Sequence, residues 1–239
     1  MKTLALATAL SVVFACAVCA QDSGKTNGAR RGMEAAATPS VDVAAIQKKI
    51  ENFSEGIKNE PKNDKWYGAR GKSYWRLGKY DLALKDLNQA ILLKPTSQTY
   101  YEVRGDAYGK MHQDKEAYKD YCKAISLGPP SHYLYLQRSY FEFRLGDRNA
   151  AAVSAKSALE LKPSDQKTLM FIGTLERELG RYDESLKFLN TAIALNPNDS
   201  TLLLMRADTH REMGRKDLAS KDIELAKKID ATGKSKSGY

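Results

Sequence analysis

The chain is predicted to be all-α, an α-solenoid of stacked helix pairs sharing one continuous core. Three observations carry that prediction. Prolines stand at Pro61, Pro95, Pro129, Pro163 and Pro197, each 34 residues after the one before, with no insertion. The same register carries columns of small residues at Gly71, Gly105, Ser139, Gly173 and Ala207, at Ala83, Ala117, Ala151, Ser185 and Ala219, and at Ala90, Ala124, Ala158, Ala192 and Ala226. A unit of this length and pattern reads as two antiparallel helices, and such units must stack because one alone cannot bury its apolar face.

The elements follow in chain order. Residues 1–20 read as a signal peptide, with Lys2 before an apolar run from Leu4 to Val18 and small residues in Val18-Cys19-Ala20, so that Ala20 is the last residue removed. The run is short for a bilayer span of about 20 residues. Lipoprotein anchoring through Cys16 or Cys19 fits poorly, because Val-Phe-Ala and Ala-Val precede those cysteines. Residues 21–40 are polar and without periodicity, which predicts a flexible linker. Residues 41–61 place Val43, Ile46, Ile50, Phe53 and Ile57 on one helical face before Pro61 and resemble a lone second helix of a repeat, a capping helix for the core.

Five units then occupy 64–97, 98–131, 132–165, 166–199 and 200–231, followed by a basic, disordered tail at 232–239. The small columns allow the two helices of a unit to approach closely. Leu77-Gly78, Leu145-Gly146, Leu179-Gly180 and Met213-Gly214 close the first helices with a glycine able to take positive φ, and Met111-His112 lacks it and is expected to be strained. Proline then ends each second helix, except in the last unit, where Ala231 replaces it. With no further helix to close the array, its last apolar face is expected to meet water or a partner.

The segments Tyr67-Gly68-Ala69-Arg70-Gly71, Tyr74, Leu77-Gly78, Tyr80-Asp81, Ala83, Ala90 and Pro95 resemble the tetratricopeptide repeat, and the pattern recurs five times between Asp64 and Ala231. The resemblance implies a right-handed superhelix whose first helices line a concave face, and a role in binding proteins. Glu142 and Glu176 depart from it, standing where Tyr74 and Tyr108 stand earlier. That departure is expected to weaken local packing. A known use of the family, clamping a chaperone's carboxyl-terminal tail, is not carried over, because Gly68, Lys72, Val103, Tyr133 and Gln137 replace most of the residues it needs.

Comparison of the units with each other isolates a charge pattern. Arg70, Arg104 and Arg206 are followed sixteen residues later by Asp86, Asp120 and Asp222, which predicts structural ion pairs across each helix pair. In the fourth unit Ile172 and Phe188 replace both members together. In the third, Ser154 leaves Arg138 without a carboxylate, and its guanidinium is expected to be open to an outside anion.

Chemistry is scarce. His112, His132 and His210 sit in different units without ligand-like partners at helical spacing, and the glycines form no phosphate-binding loop. The expectation is no enzyme activity, no cofactor and no metal. Cys122, the one cysteine after residue 20, reads as a buried, inert thiol. A net charge of +9 suggests polyanions, but export and the lack of an aromatic-basic motif argue against nucleic acid.

What remains is a surface. Residues of the first helices turned from their partner helix include Lys65, Lys72 and Trp75, then Tyr133, Leu136, Tyr140 and Phe143, then Lys167, Met170 and Arg177. With Arg138 and Arg144 they suit an extended partner segment bearing apolar and acidic side chains. The expectation is therefore a non-catalytic protein-protein interaction scaffold, secreted or periplasmic. The alternatives are an envelope component whose basic surface meets an anionic polymer or membrane, and an accessory subunit of a secretion or envelope enzyme complex.

Overall fold

The computed structural model describes residues 42–232, and among these every regular element is an α-helix. The helices are α1 (Val43–Asn59), α2 (Asp64–Arg76), α3 (Tyr80–Leu93), α4 (Gln98–Lys110), α5 (Asp114–Leu127), α6 (His132–Arg144), α7 (Arg148–Leu161), α8 (Gln166–Glu178), α9 (Tyr182–Leu195), α10 (Ser200–Glu212) and α11 (Lys216–Ala231). The segments expected to form a signal peptide, a linker and a tail lie outside the described residues.

Local chemistry sets the boundaries. The first helices α2, α6, α8 and α10 begin at caps where Asn63, Ser131, Asp165 and Asp199 accept a backbone N–H of the first turn. Gly78, Gly146, Gly180 and Gly214 follow α2, α6, α8 and α10 with φ between +70° and +94°. At the corresponding place after α4, His112 takes φ +58° with a side chain attached, a conformation that costs an L residue about 1–2 kcal/mol. Helices α3, α5, α7 and α9 all end two residues before a proline and are 14 residues long. Without that proline, α11 runs on to 16.

From Ile46 onward the helices form one compact unit. Each first helix packs against the second helix of its own pair, and each second helix packs against the first helix that follows. First helices also approach the next first helix, as α2 does α4 and α8 does α10, which places them on the inner side of the solenoid. The small columns are where helices meet. A methyl group on Gly71 would lie 3.0 Å from Leu87 Cγ, and one on Gly173 2.9 Å from Leu189 Cγ. Serine fits such a place by bonding to the backbone it approaches: Ser139 Oγ donates to the Ala151 carbonyl at 2.6 Å and Ser185 Oγ to that of Gly173 at 2.8 Å.

Between pairs the core is aliphatic at Leu169, Leu189 and Leu202, and aromatic where α5 meets α6. There Tyr121 and Phe141 stack at 5.5 Å while Tyr140 meets Phe141 edge-on at 5.2 Å. The two ends of the array are polar. Exposed Lys49 on α1 occupies the register position of Ala83, and exposed Lys227 on α11 that of Ile91, Ile125, Leu159 and Ile193. The last apolar face is thus closed by a side chain that water solvates.

Candidate partner-binding face

Charged residues tie the inner helices together before any surface is offered. Arg70 donates from Nε and Nη2 to both oxygens of Asp86, at 2.7 and 2.8 Å, and from Nη1 to Ser54 of α1. Arg104 repeats the arrangement with Asp120 and with Asn88 of α3, and Arg206 with Asp222 and Asn190 of α9. Each arginine therefore joins its own second helix to the preceding one. The aspartates are almost enclosed, while a fifth to a quarter of each arginine side chain remains exposed. The Asp86 hydrogen bonds hold the Arg70 guanidinium's pKa above its ordinary value.

Units three and four use other residues for the same task. Arg138 is not open to an outside anion. Its Nε donates to Ser154 Oγ at 2.9 Å and lies 3.4 Å from Glu142, whose carboxylate replaces the missing aspartate. In the fourth unit Lys156 reaches over from α7 to Glu176 at 2.6 Å, lying 5.8 Å from the Phe188 ring centroid. Glu176 is fully enclosed. Glu142 is thus a relocated counter-ion for the arginine of its own unit and Glu176 the counter-ion of a relocated cation, and the weakened packing expected at those two positions is replaced by an ion pair.

The residues expected to line a partner groove divide into two sets. Arg144 forms an ion pair with Asp114 at 3.0 Å and lies 5.7 Å from the Tyr140 ring centroid, Arg177 pairs with Glu212 at 2.6 Å, and Phe143 packs edge-on against Phe171. Tyr140 is buried in the aromatic core, and Trp75 packs among Leu87, Val103 and Tyr100. These side chains join neighbouring repeats, Phe143 and Arg177 by meeting the next inner helix and Arg144 by reaching the start of α5. The other set faces outward: Lys65, Lys72 and Lys167 are exposed, Tyr133 is 38% exposed, and Leu136 and Met170 are half-buried. Among the described residues no ion pair joins those three lysines to a carboxylate.

One residue of this face was not singled out in the sequence. Leu204 on α10 is 43% exposed and extends the column that Leu136 and Met170 begin. The 34-residue period itself pointed to it. Leu136, Met170 and Leu204 thus give three successive inner helices an apolar side chain at one register position, whereas α2 and α4 carry Gly68 and Glu102 there. Among the described residues no three or more His, Cys, Asp or Glu are grouped as metal ligands, and no helix is long and apolar enough to cross a membrane.

Known proteins give this architecture a context. The solved structure of YrrB, described as a TPR protein with an unusual peptide-binding site, superposes with a TM-score of 0.71 at 19% identity, covering 75% of this chain and 93% of its own. MamA superposes at 0.68 and 16% identity over 74% and 97%. The C-terminal part of a TPR repeat-containing protein from Cytophaga hutchinsonii does so at 0.69 and 22% over 79% and 76%. No curated protein matches the sequence. The fold shared with these structures is the right-handed α-solenoid. Profiles described as tetratricopeptide repeat match residues 65–97, 142–200 and 200–232, together about half of the chain. With the helix pairs between those segments built on the same period, the chain belongs to the tetratricopeptide-repeat family.

Proposed function

We propose that the protein is a non-catalytic interaction scaffold whose inner face holds an extended, apolar segment of a partner protein. The observation that supports this reading is the half-open column of Leu136, Met170 and Leu204, flanked by Tyr133. Apolar side chains on successive inner helices offer regularly spaced seats for alternate side chains of an extended chain. The peptide-binding site ascribed to YrrB, which shares the fold, favours the same use here. Acidic side chains of the partner would meet Lys65, Lys72 and Lys167 rather than Arg144 or Arg177, which have internal partners. Export through the segment at 1–20 belongs to the same proposal and places the partner in the periplasm or outside the cell.

Capture from a native extract tests this on residues 21–239. Leu136→Ser with Leu204→Ser alters the open column, whereas changes at Tyr140 or Phe143 would disturb packing between repeats. Loss of a discrete captured protein from the folded double variant is the expected result. Equal capture by both forms, released by moderate salt, would reject the inner face. It would instead place function on the basic surface as an envelope component, since exposed charges are screened beyond about 8 Å at physiological ionic strength.

A further inference from the structure

Asp106 is a meeting point of two repeats. It stands on α4, and its Oδ1 accepts the hydroxyl hydrogens of Tyr121 on α5 and of Tyr133 on α6. The charges around it are Lys72 from α2, Lys110 one turn along α4 and Glu102 one turn back, which is itself half-buried. The two tyrosines differ in freedom. Tyr121 is 1% exposed and stacked on Phe141, so its ring is fixed, while Tyr133 on the first turn of α6 is 38% exposed and borders the open column.

An ionised carboxylate makes both hydroxyl bonds charge-assisted, roughly twice as strong as neutral ones. Protonation turns both into neutral bonds and removes the counter-charge of Lys72 and Lys110. Only the Tyr133 side can respond, because Tyr121 is held by packing. We propose that Asp106 is a proton-operated latch between the second and third repeats. When ionised it clamps Tyr133 against α4, and when protonated it releases Tyr133 toward Leu136 on the inner face. Burial pushes the Asp106 carboxyl up against the opposing pull of Tyr121, Tyr133, Lys110 and Lys72, and burial with the Asp106 charge raises Glu102, so release falls above the ordinary carboxylate range. The effect on a bound segment rests on the function proposed above. The latch itself does not.

Amide hydrogen exchange across residues 131–137, corrected for intrinsic rates, tests the latch without a partner. Asp106→Asn should exchange severalfold faster there than the unaltered protein at neutral pH. Mild acid should bring the unaltered protein to the same rate and leave Asp106→Asn unchanged. Tyr133→Phe, which removes one hydroxyl from an exposed ring, should reproduce the fast state at both pH values even if the Asp106 variant folds poorly. Equal protection of the unaltered protein at both pH values, or slow exchange in Tyr133→Phe, would overturn the proposal. A latch that passes while capture fails would reject the inner-face reading alone.

Discussion

Asp120 accepts from Nε and Nη2 of Arg104, and Asn88 accepts from Nη1, so the guanidinium is held across two repeats. Asp120→Ala leaves that cation facing a desolvated space. Loss of one partner of a buried pair typically costs about 3–5 kcal/mol, and with 19% of the arginine side chain exposed we expect about 2–3 kcal/mol in urea unfolding. His112 is the opposite case, a side chain in a conformation that glycine accepts freely. Its ring nitrogen is 3.5 Å from Arg144, whose carboxylate partner is Asp114, so little binding is lost with the ring. His112→Gly is expected to stabilise the protein by about 0.5–1 kcal/mol in the same measurement.

At the level of the helix, the seventh residue of each repeat carries the cation in four units, and in the fourth that role passes to Lys156 of the preceding helix. Lys156→Ala should therefore destabilise by about 1–2 kcal/mol, because Glu176 is enclosed although the lysine is 41% exposed, whereas Arg181→Ala, 3.4 Å away and half exposed, should cost under about 1 kcal/mol. The contrast marks the boundary of what the sequence reveals. Features that occur in several repeats, such as the proline column, the glycine turns and the sixteen-residue Arg–Asp spacing, announce themselves by repetition. The Lys156–Glu176 and Asp106–Tyr133 contacts occur at one junction each, between helices of different repeats, and no periodicity exposes them. For the same reason Arg144, Arg177, Tyr140 and Phe143 read as open surface from spacing alone. Whether a long side chain reaches its neighbour depends on how tightly successive inner helices approach.

For the molecule as a whole, the ionisable groups predict an uncommon response to acid. Burial is the largest influence on Glu102, Asp106, Asp120 and Glu142, and all four are raised. A carboxyl whose folded pKa exceeds its unfolded value adds stability that is complete below the unfolded value and is lost as pH rises through the folded one. His210, lowered chiefly by burial, Asp165, lowered by bonds from Lys162 and Thr168 despite burial, and Glu60, lowered by bonds from Asn63 and Trp66, act oppositely as pH falls. Because the four raised carboxyls take up protons before the lowered Asp165 and Glu60 do, the thermal midpoint should rise on going from neutral to mildly acidic pH, before falling in stronger acid. A midpoint that only declines would contradict it. Lys49 and Lys227, in turn, predict that the array does not propagate end to end. Lys227→Ile should restore the apolar seat and shift the protein toward larger species in sedimentation.

The transfer of one cation from α8 to α7 also bears on how such an array can change over time. Removing residues 166–199 as a whole unit would take out one helix pair and leave the remaining pairs in the 34-residue rhythm. It would nevertheless bring Arg206 and His210 to the places of Ile172 and Glu176, opposite Lys156, so that the lysine would lose its carboxylate and meet an arginine instead. Deletion of this module is thus opposed here by the loss of the lysine's carboxylate and by its approach to Arg206. The modules share one shape and have a fixed order.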